Sequence, residues 1–311
     1  MITTTAQPDV LLSFDVEEHF QIEAARDTID PGQWDNWPGR IKPNLDWLLE
    51  QLAQHQATAT FFVLGWVARR QPRIVRAIAD AGHELACHGY GHDRLHRLDP
   101  DRLRADLAAA RAAIEDQAQQ PLIGYRAPCF SLTAQTAWAV DVIAGQGFAY
   151  DSSIQPIHHP ACGQADAPRR PYQLVGPSGG RLLEVPPLTW RCGRLRLPVA
   201  GGGYFRLLPL AAMHRGIAQA RRAGQPAPLY FHPWEFDPDQ PRLPLGPRQR
   251  WRTYVGIRRT RPRLQTLLRR YRGRSYRQWL ASEAAHHLPT HRLAPTPRCP
   301  RTQPQAQRRA A

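Results

Sequence analysis

No stretch of 18 or more apolar residues occurs in this 311-residue chain, which excludes a membrane-spanning helix of ordinary length. Lysine is nearly missing: Lys42 stands alone beside 40 arginines. Arginine usage is therefore a bias of the whole chain, and a single arginine is weak evidence for a site. Cysteine is scarce and odd in number. Cys87, Cys129, Cys162, Cys192 and Cys299 include no CxxC pair, which argues against a disulfide framework and for a reducing compartment. The opening residues MITTTAQPDVLLSFDVEE have neither the basic segment nor the long apolar segment of a secretory leader, so a cytoplasmic location is expected. Acids are almost absent from one end. From Arg242 onward, 18 arginines face the single acid Glu283, a surplus of +17 in a chain of net charge +15. Residues 1–241 thus carry −2. The basic character belongs to one segment rather than the main domain, and no nucleic acid partner is expected.

What is present is a repeated alternation. DVLLSFD reads as a strand, NLDWLLEQLAQH as a helix with Leu45, Leu48, Leu49 and Leu52 on one face, and TATFFVLG as a strand again. QPRIVRAIADAG is helical and closed by Gly82; HELACHG is a strand; the helix that follows has Asp99 at its N-cap and Pro100 in its first turn. LIGYRAP, FAYDSS, RLLEVPP and PLYFHP read as further strands, with helices through Trp138 and Val142 and from Leu208 to Gly224. Such alternation implies parallel strands with helical crossovers, either a barrel or a doubly wound sheet.

Chemically capable residues recur in one phase. Asp15, Glu17, His88, His92, Arg126, Asp151 and His232 each fall at or just past the C-terminal end of an expected strand, and in a βα barrel those ends converge on one mouth. His88 and His92 have HxxxH spacing, although Gly89 and Gly91 argue for a loop there. Asp15 and Glu17 lie two apart and share a strand face, whereas Glu18 points away if the strand persists. Two histidines and a carboxylate with an open water position are a recurrent catalytic metal arrangement. His232 is read either as a packed core histidine or as a proton donor to a leaving amine.

The motifs SFDVEE, HGYGH, YRAPCFS, YDSSI and YFHPWEFDPDQP occur in that order. Together they resemble the polysaccharide deacetylases of carbohydrate esterase family four, the NodB-like enzymes, over about Asp9 to Leu280. GGGYFRLLP and HPWE further resemble the branch found in exosortase-associated exopolysaccharide loci. The resemblance implies a distorted (β/α) barrel, a divalent metal, usually Zn2+, and hydrolysis of N-acetyl groups on an N-acetylated polysaccharide or oligosaccharide. It implies Asp15 as general base toward the attacking water, His88 and His92 as metal ligands, Arg126 as the group that grips Asp15 with two bonds, and His232 as general acid. Asp151 is assigned to orienting His232. The family commonly has two adjacent aspartates in its first motif; here Val16 follows Asp15, so the carboxylate ligand must be Glu17 or Glu18, and strand phase favours Glu17.

Pro128 and the backbone N–H of Cys129 are assigned to the oxyanion, Tyr204 to a sugar ring, with Phe205 as alternative, and Trp234 to substrate. A cysteine at 129 is also expected to invite metal poisoning or oxidation. The expected domains are a flexible 1–8, a catalytic barrel 9–240, a basic and partly helical extension 241–285 and a disordered tail 286–311. Residues 158–180 read as a loop insertion, and QWDNWPGRIKPN as a cleft rim with exposed tryptophans. The basic extension is a candidate for weak contact with the inner membrane surface. Two other functions are compatible with the residues: hydrolysis of a small amide or ureide, and metal-free sugar binding.

Overall fold

The computed structural model describes residues 9–159, 162–282 and 288–295. Its strands are β1 (Asp9–Val16), β2 (Thr60–Val63), β3 (Glu84–Cys87), β4 (Gly124–Tyr125), β5 (Tyr150–Asp151), β6 (Tyr172–Val175), β7 (Arg181–Glu184), β8 (Thr189–Cys192), β9 (Leu195–Pro198), β10 (Pro228–Phe231), β11 (Arg272–Arg274) and β12 (Thr290–Arg292). The helices are α1 (Ile41–Gln54), α2 (Gly65–Arg70), α3 (Pro72–Asp80), α4 (Pro100–Ala118), α5 (Trp138–Gly145), α6 (Gly202–Leu207), α7 (Leu210–Arg222), α8 (Pro247–Tyr254), α9 (Thr260–Arg270) and α10 (Tyr276–Leu280). One sheet runs β10-β1-β2-β3-β4-β5-β7-β6-β12, with β11 also on β1; β8 and β9 form a separate hairpin. Within the large sheet only β6 and β7 pair antiparallel. This is the α/β architecture that the alternation implied. Among the described residues no helix is long and apolar enough to cross a membrane.

The sheet curls into a distorted barrel with an irregular seam. Across that seam Leu188 N–H donates to Pro228 O (2.9 Å) and Tyr230 N–H to Ala200 O (3.1 Å), and Gly201 bridges Tyr230. β1 is buried on both faces because it is central. Val10, Leu12, Phe14 and Val16 join the core beneath the helices, while Leu11 joins a second cluster with Phe62, Ala86, Tyr150, Leu183 and Tyr276 inside the barrel. α4 shows the helix logic. Asp99 caps it by accepting from Arg102 N–H (2.9 Å), and Leu103, Leu107, Ala110 and Ile114 bury one face. Each large side chain there contributes about 1.5–3 kcal/mol. Gly124 is dictated by crowding: a Cβ there would lie 2.1 Å from Tyr150 Cζ.

The C-terminal segment is part of this core rather than an extension beyond it. β11 extends the parallel pairing along β1, Leu264, Leu267 and Leu268 of α9 are buried, and α10 plugs the barrel floor. There Tyr276 N–H donates to Thr60 Oγ1 (2.8 Å), and its ring stacks on Tyr150 at 5.5 Å. Arginine density hid this, because the buried positions fall between charged ones. Two further expectations are corrected by edge pairing. The loop insertion at 158–180 contains β6, and the tail at 286–311 contains β12, which pairs with β6 in parallel. The rest of that tail, apart from 288–295, and residues 1–8 lie outside the described residues. Trp34 is 3% exposed and packs with Phe20 and Trp66 instead of lining a rim.

Candidate active site

At the C-terminal end of the barrel, β1 delivers Asp15 and the residues after it, the loop after β3 delivers His88 and His92, β4 leads into Arg126, and β10 leads into His232. The loop carrying the two histidines is not helical; Gly89 has φ +77° and His92 φ +54°. Ligand atoms of Glu17, His88 and His92 all lie within 4.8 Å of one another. Glu18 is used elsewhere. Its carboxylate accepts from Arg40 N–H (2.8 Å), Ile41 N–H (3.3 Å) and Gln71 Nε2 (3.1 Å), satisfying the start of α1. Glu17 is thus the acid that faces the histidines.

These three side chains fit a metal by their own chemistry. Glu17 Oε2 is buried and accepts no hydrogen bond, although His92 Nε2 lies 2.6 Å away. Trp234 Nε1–H donates to Glu17 Oε1 (2.9 Å), leaving Oε2 as the free ligand oxygen. His88 Nδ1–H donates to Arg126 O (2.8 Å), which directs the Nε2 lone pair inward, the usual outer support of a ligating imidazole. Burial, the largest influence, pulls the His88 pKa down to about 4, so the ring is neutral. Burial acts to raise the Glu17 pKa, but His92, His232 and His88 outweigh it and hold the carboxyl well below the usual range.

Asp15 lies beside this cluster on Arg126. Arg126 Nη1 donates to Asp15 Oδ1 (2.6 Å) and Ser13 Oγ (3.0 Å), Nη2 to Ser152 Oγ (2.9 Å) and Tyr276 Oη (3.1 Å), and Nε to Ser152 O (3.0 Å). All five guanidinium donors are used, and Phe62 lies under the cation at 4.0 Å. The expected two-bond grip on Asp15 is corrected to one bond, with the remaining donors sharing the barrel floor. Asp15 Oδ2 therefore faces the mouth, 3.8 Å from His232 Nε2.

His232 is oriented by Glu235, not Asp151. Nδ1–H donates to Glu235 Oε2 (3.0 Å), and Glu235 Oε1 accepts from Arg206 Nε (2.9 Å). Burial works against the imidazolium, but Glu235, Glu17 and Asp15 together push the His232 pKa up to about 9. Asp151 is spent behind the site: it accepts from Ser153 Oγ (2.5 Å) and Ser153 N–H (3.2 Å). It also shares a buried hydrogen bond with Glu184, whose pKa burial and Asp151 raise far above the carboxylate range. Sequence reasoning passed over Glu235, Arg206 and Tyr276. The signal for Glu235 was present, since His-x-x-Glu at a helical start lets the acid reach back to the first residue, and Glu235 Oε2 accepts from His232 N–H (3.1 Å).

The substrate assignments divide. Trp234 is 8% exposed, stacks on His232 at 5.3 Å and holds Glu17; it supports the site instead of lining a sugar path. Phe205 packs inward on Phe231. Tyr204 borders a shallow cleft with Tyr230, Gln155, Pro156, Leu188 and Pro198. Tyr230 lies 5.9 Å from His232, between ring centroids. After Pro128, Cys129 (φ 57°) and Phe130 (φ 52°) are both left-handed, a conformation costing about 1–2 kcal/mol per non-glycine residue. Burial, with Glu23 and Glu17, raises the Cys129 pKa well above its ordinary value. A raised thiol pKa disfavours the thiolate, the form that oxidants attack.

Residues 27–144 match the family model "Polysaccharide deacetylase", and residues 152–281 match "Domain of unknown function (DUF3473)". A chitooligosaccharide deacetylase of Bradyrhizobium is 32% identical over 98 residues, 32% of this chain and 45% of that protein. The Bacillus subtilis peptidoglycan-N-acetylmuramic acid deacetylase PdaA is 24% identical over 132 residues, 36% of this chain and 50% of that protein. The chain thus spans about half the length of these relatives. A crystal structure from Mycobacterium smegmatis, assigned as a polysaccharide deacetylase, has TM-score 0.55 at 23% identity, covering 93% of this chain and 87% of that one; it shares the fold. Asp15 and Glu17 precede the first matched segment, and His232, Glu235, Arg206 and Tyr276 fall in the second. The site draws on both segments and on the end of β1 before them.

Proposed function

We propose that this chain, which carries a polysaccharide deacetylase domain, is a metal-dependent hydrolase that removes N-acetyl groups from amino sugars of an exopolysaccharide or its precursor. The observation that carries the reading is the buried Glu17 Oε2, without a donor yet 2.6 Å from His92 Nε2, with Asp15 and His232 beside it. Glu17, His88 and His92 would hold a divalent metal, Zn2+ by the nitrogen and carboxylate donors, which supplies Lewis acidity toward the acetyl carbonyl. Asp15 Oδ2 takes a proton from the attacking water. The C–N bond then breaks, and His232 Nε2 gives its proton to the leaving amine, so acetate and a free amino sugar result. Glu235 holds the imidazole with Nε2 forward. The backbone N–H of Cys129 stabilises the developing oxyanion.

Zinc loading followed by desalting is expected to leave about one zinc per wild-type chain and little in His92→Ala, because only two ligands would remain. Acetate release is then assayed on N-acetylated oligosaccharides beside small amides and ureides. Wild-type protein that retained no zinc, or that cleaved only the small amides, would overturn the reading.

Glu235→Gln tests the proton donor separately. The amide keeps the shape but removes the anion that supports the His232 imidazolium. Release from an N-acetyl sugar is expected to slow about 10- to 100-fold, while hydrolysis of 4-nitrophenyl acetate, whose phenolate leaves without a proton, falls far less. Equal losses on both substrates would take His232 and Glu235 out of that role.

A further inference from the structure

Residues 240–282 contain no Asp or Glu, yet the arginines in this segment are used unequally. Arg261 donates to Phe236 O, Arg263 to Arg206 O, and Arg272 and Arg274 pair with Asp9. Arg248, Arg250 and Arg252 of α8, and Arg258 and Arg259 just beyond it, are exposed. Among the described residues these five side chains have no acidic partner and no hydrogen bond. Trp251 stands among them, 59% exposed. Arg248, Trp251 and Arg252 fall at i, i+3 and i+4 and therefore share one outward face.

The helix that carries this face is tied to the mouth. Arg206 Nη1 donates to the carbonyls of Thr253 (2.6 Å) and Val255 (3.1 Å) at the end of α8, and Arg206 Nε holds Glu235, which holds His232. Residues flanking α8, Leu243, Leu245 and Ile257, pack with Trp234 and with Phe20 and Ile22 of the loop after β1. Burial and then the charges of Arg252 and Arg94 lower the pKa of His159, so both cations lie near that residue. A polymer leaving the catalytic mouth on this side meets an exposed tryptophan between positive charges that no acid neutralises.

We propose that α8 docks an acidic polysaccharide chain, the part of the substrate outside the mouth. Arg248 and Arg252 pair with uronate carboxylates and Trp251 lies against a sugar face. The proposal rests on the deacetylase reading and names its substrate class as anionic. A lipid surface fits less well, because interfacial helices bury a wide apolar face and α8 offers one tryptophan among arginines.

The test is fluorescence anisotropy on the full chain with three probes: a labelled tetrasaccharide alternating glucuronate and N-acetylglucosamine, the neutral N-acetylglucosamine tetramer, and phosphatidylglycerol vesicles. The acidic tetrasaccharide is expected to bind about tenfold more tightly than the neutral one, with a preference that fades as salt rises and vanishes in Arg248→Glu/Arg252→Glu. Equal affinities, a preference that survives the double charge reversal, or binding only to vesicles would overturn it. Acetate release measured in the same samples separates the two readings. Preference without release sinks the deacetylase and leaves the saccharide surface; release without preference sinks the surface alone.

Discussion

Asp15→Asn is expected to lower kcat for acetate release by about 10²- to 10⁴-fold, the range that a positioned base supplies, and to leave zinc stoichiometry unchanged. The argument is geometric. Asp15 Oδ1 is occupied by Arg126 Nη1 at 2.6 Å, while Oδ2 points to the mouth beside His232. An amide retains an oxygen for Arg126 but presents no basic lone pair of comparable strength to water. The side chains that could hold a metal are Glu17, His88 and His92, without Asp15, so zinc retention separates loss of the base from loss of the metal. KM should change little, because Asp15 is 2% exposed and offers no surface to the sugar. Retention of more than about a tenth of wild-type kcat would remove Asp15 from the base role.

Legibility in the sequence followed how local each signal was. β1 and β10 could be read because they are continuous buried runs, α3 and α4 because burial repeats at helix period, and α4 carried its own cap at Asp99. Strand phase favoured Glu17 over Glu18 without deciding between them; β1 ends at Val16, so both acids lie beyond the strand, and Glu18 turns to the start of α1. What could not be read depends on contacts far apart in the chain. Tyr276 reaches Arg126 across 150 residues, and β6 is recognisable only beside β7 and β12. Asp151 shows the same limit within the site: at the end of β5 it reads like any strand-end carboxylate, and only packing sets it against Glu184, whereas Glu235 follows His232 by three residues in the short helix after β10.

Arg126→Met should be the most destabilising of the substitutions considered, by about 3–5 kcal/mol, because it leaves a buried carboxylate without its counter-charge. The loss is broader than one ion pair. Ser13, Ser152 and Tyr276 each lose a donor, and Phe62 loses the cation against its ring. Arg126→Lys restores charge, but with at most three donors where the guanidinium uses five; it should recover only part of the deficit. The double variant Asp15→Asn/Arg126→Met decides which effect dominates. If the unpaired Asp15 charge is the main penalty, removing that charge as well must make the double variant more stable than Arg126→Met alone, since replacing both members of a buried pair is often close to neutral. If instead the hydroxyl network to Ser152 and Tyr276 dominates, the double variant will be no more stable than Arg126→Met. Urea unfolding of the four proteins with wild type closes the cycle. Wild-type stability in Arg126→Met would show that the guanidinium is retained for the chemistry at Asp15 and contributes nothing to the fold.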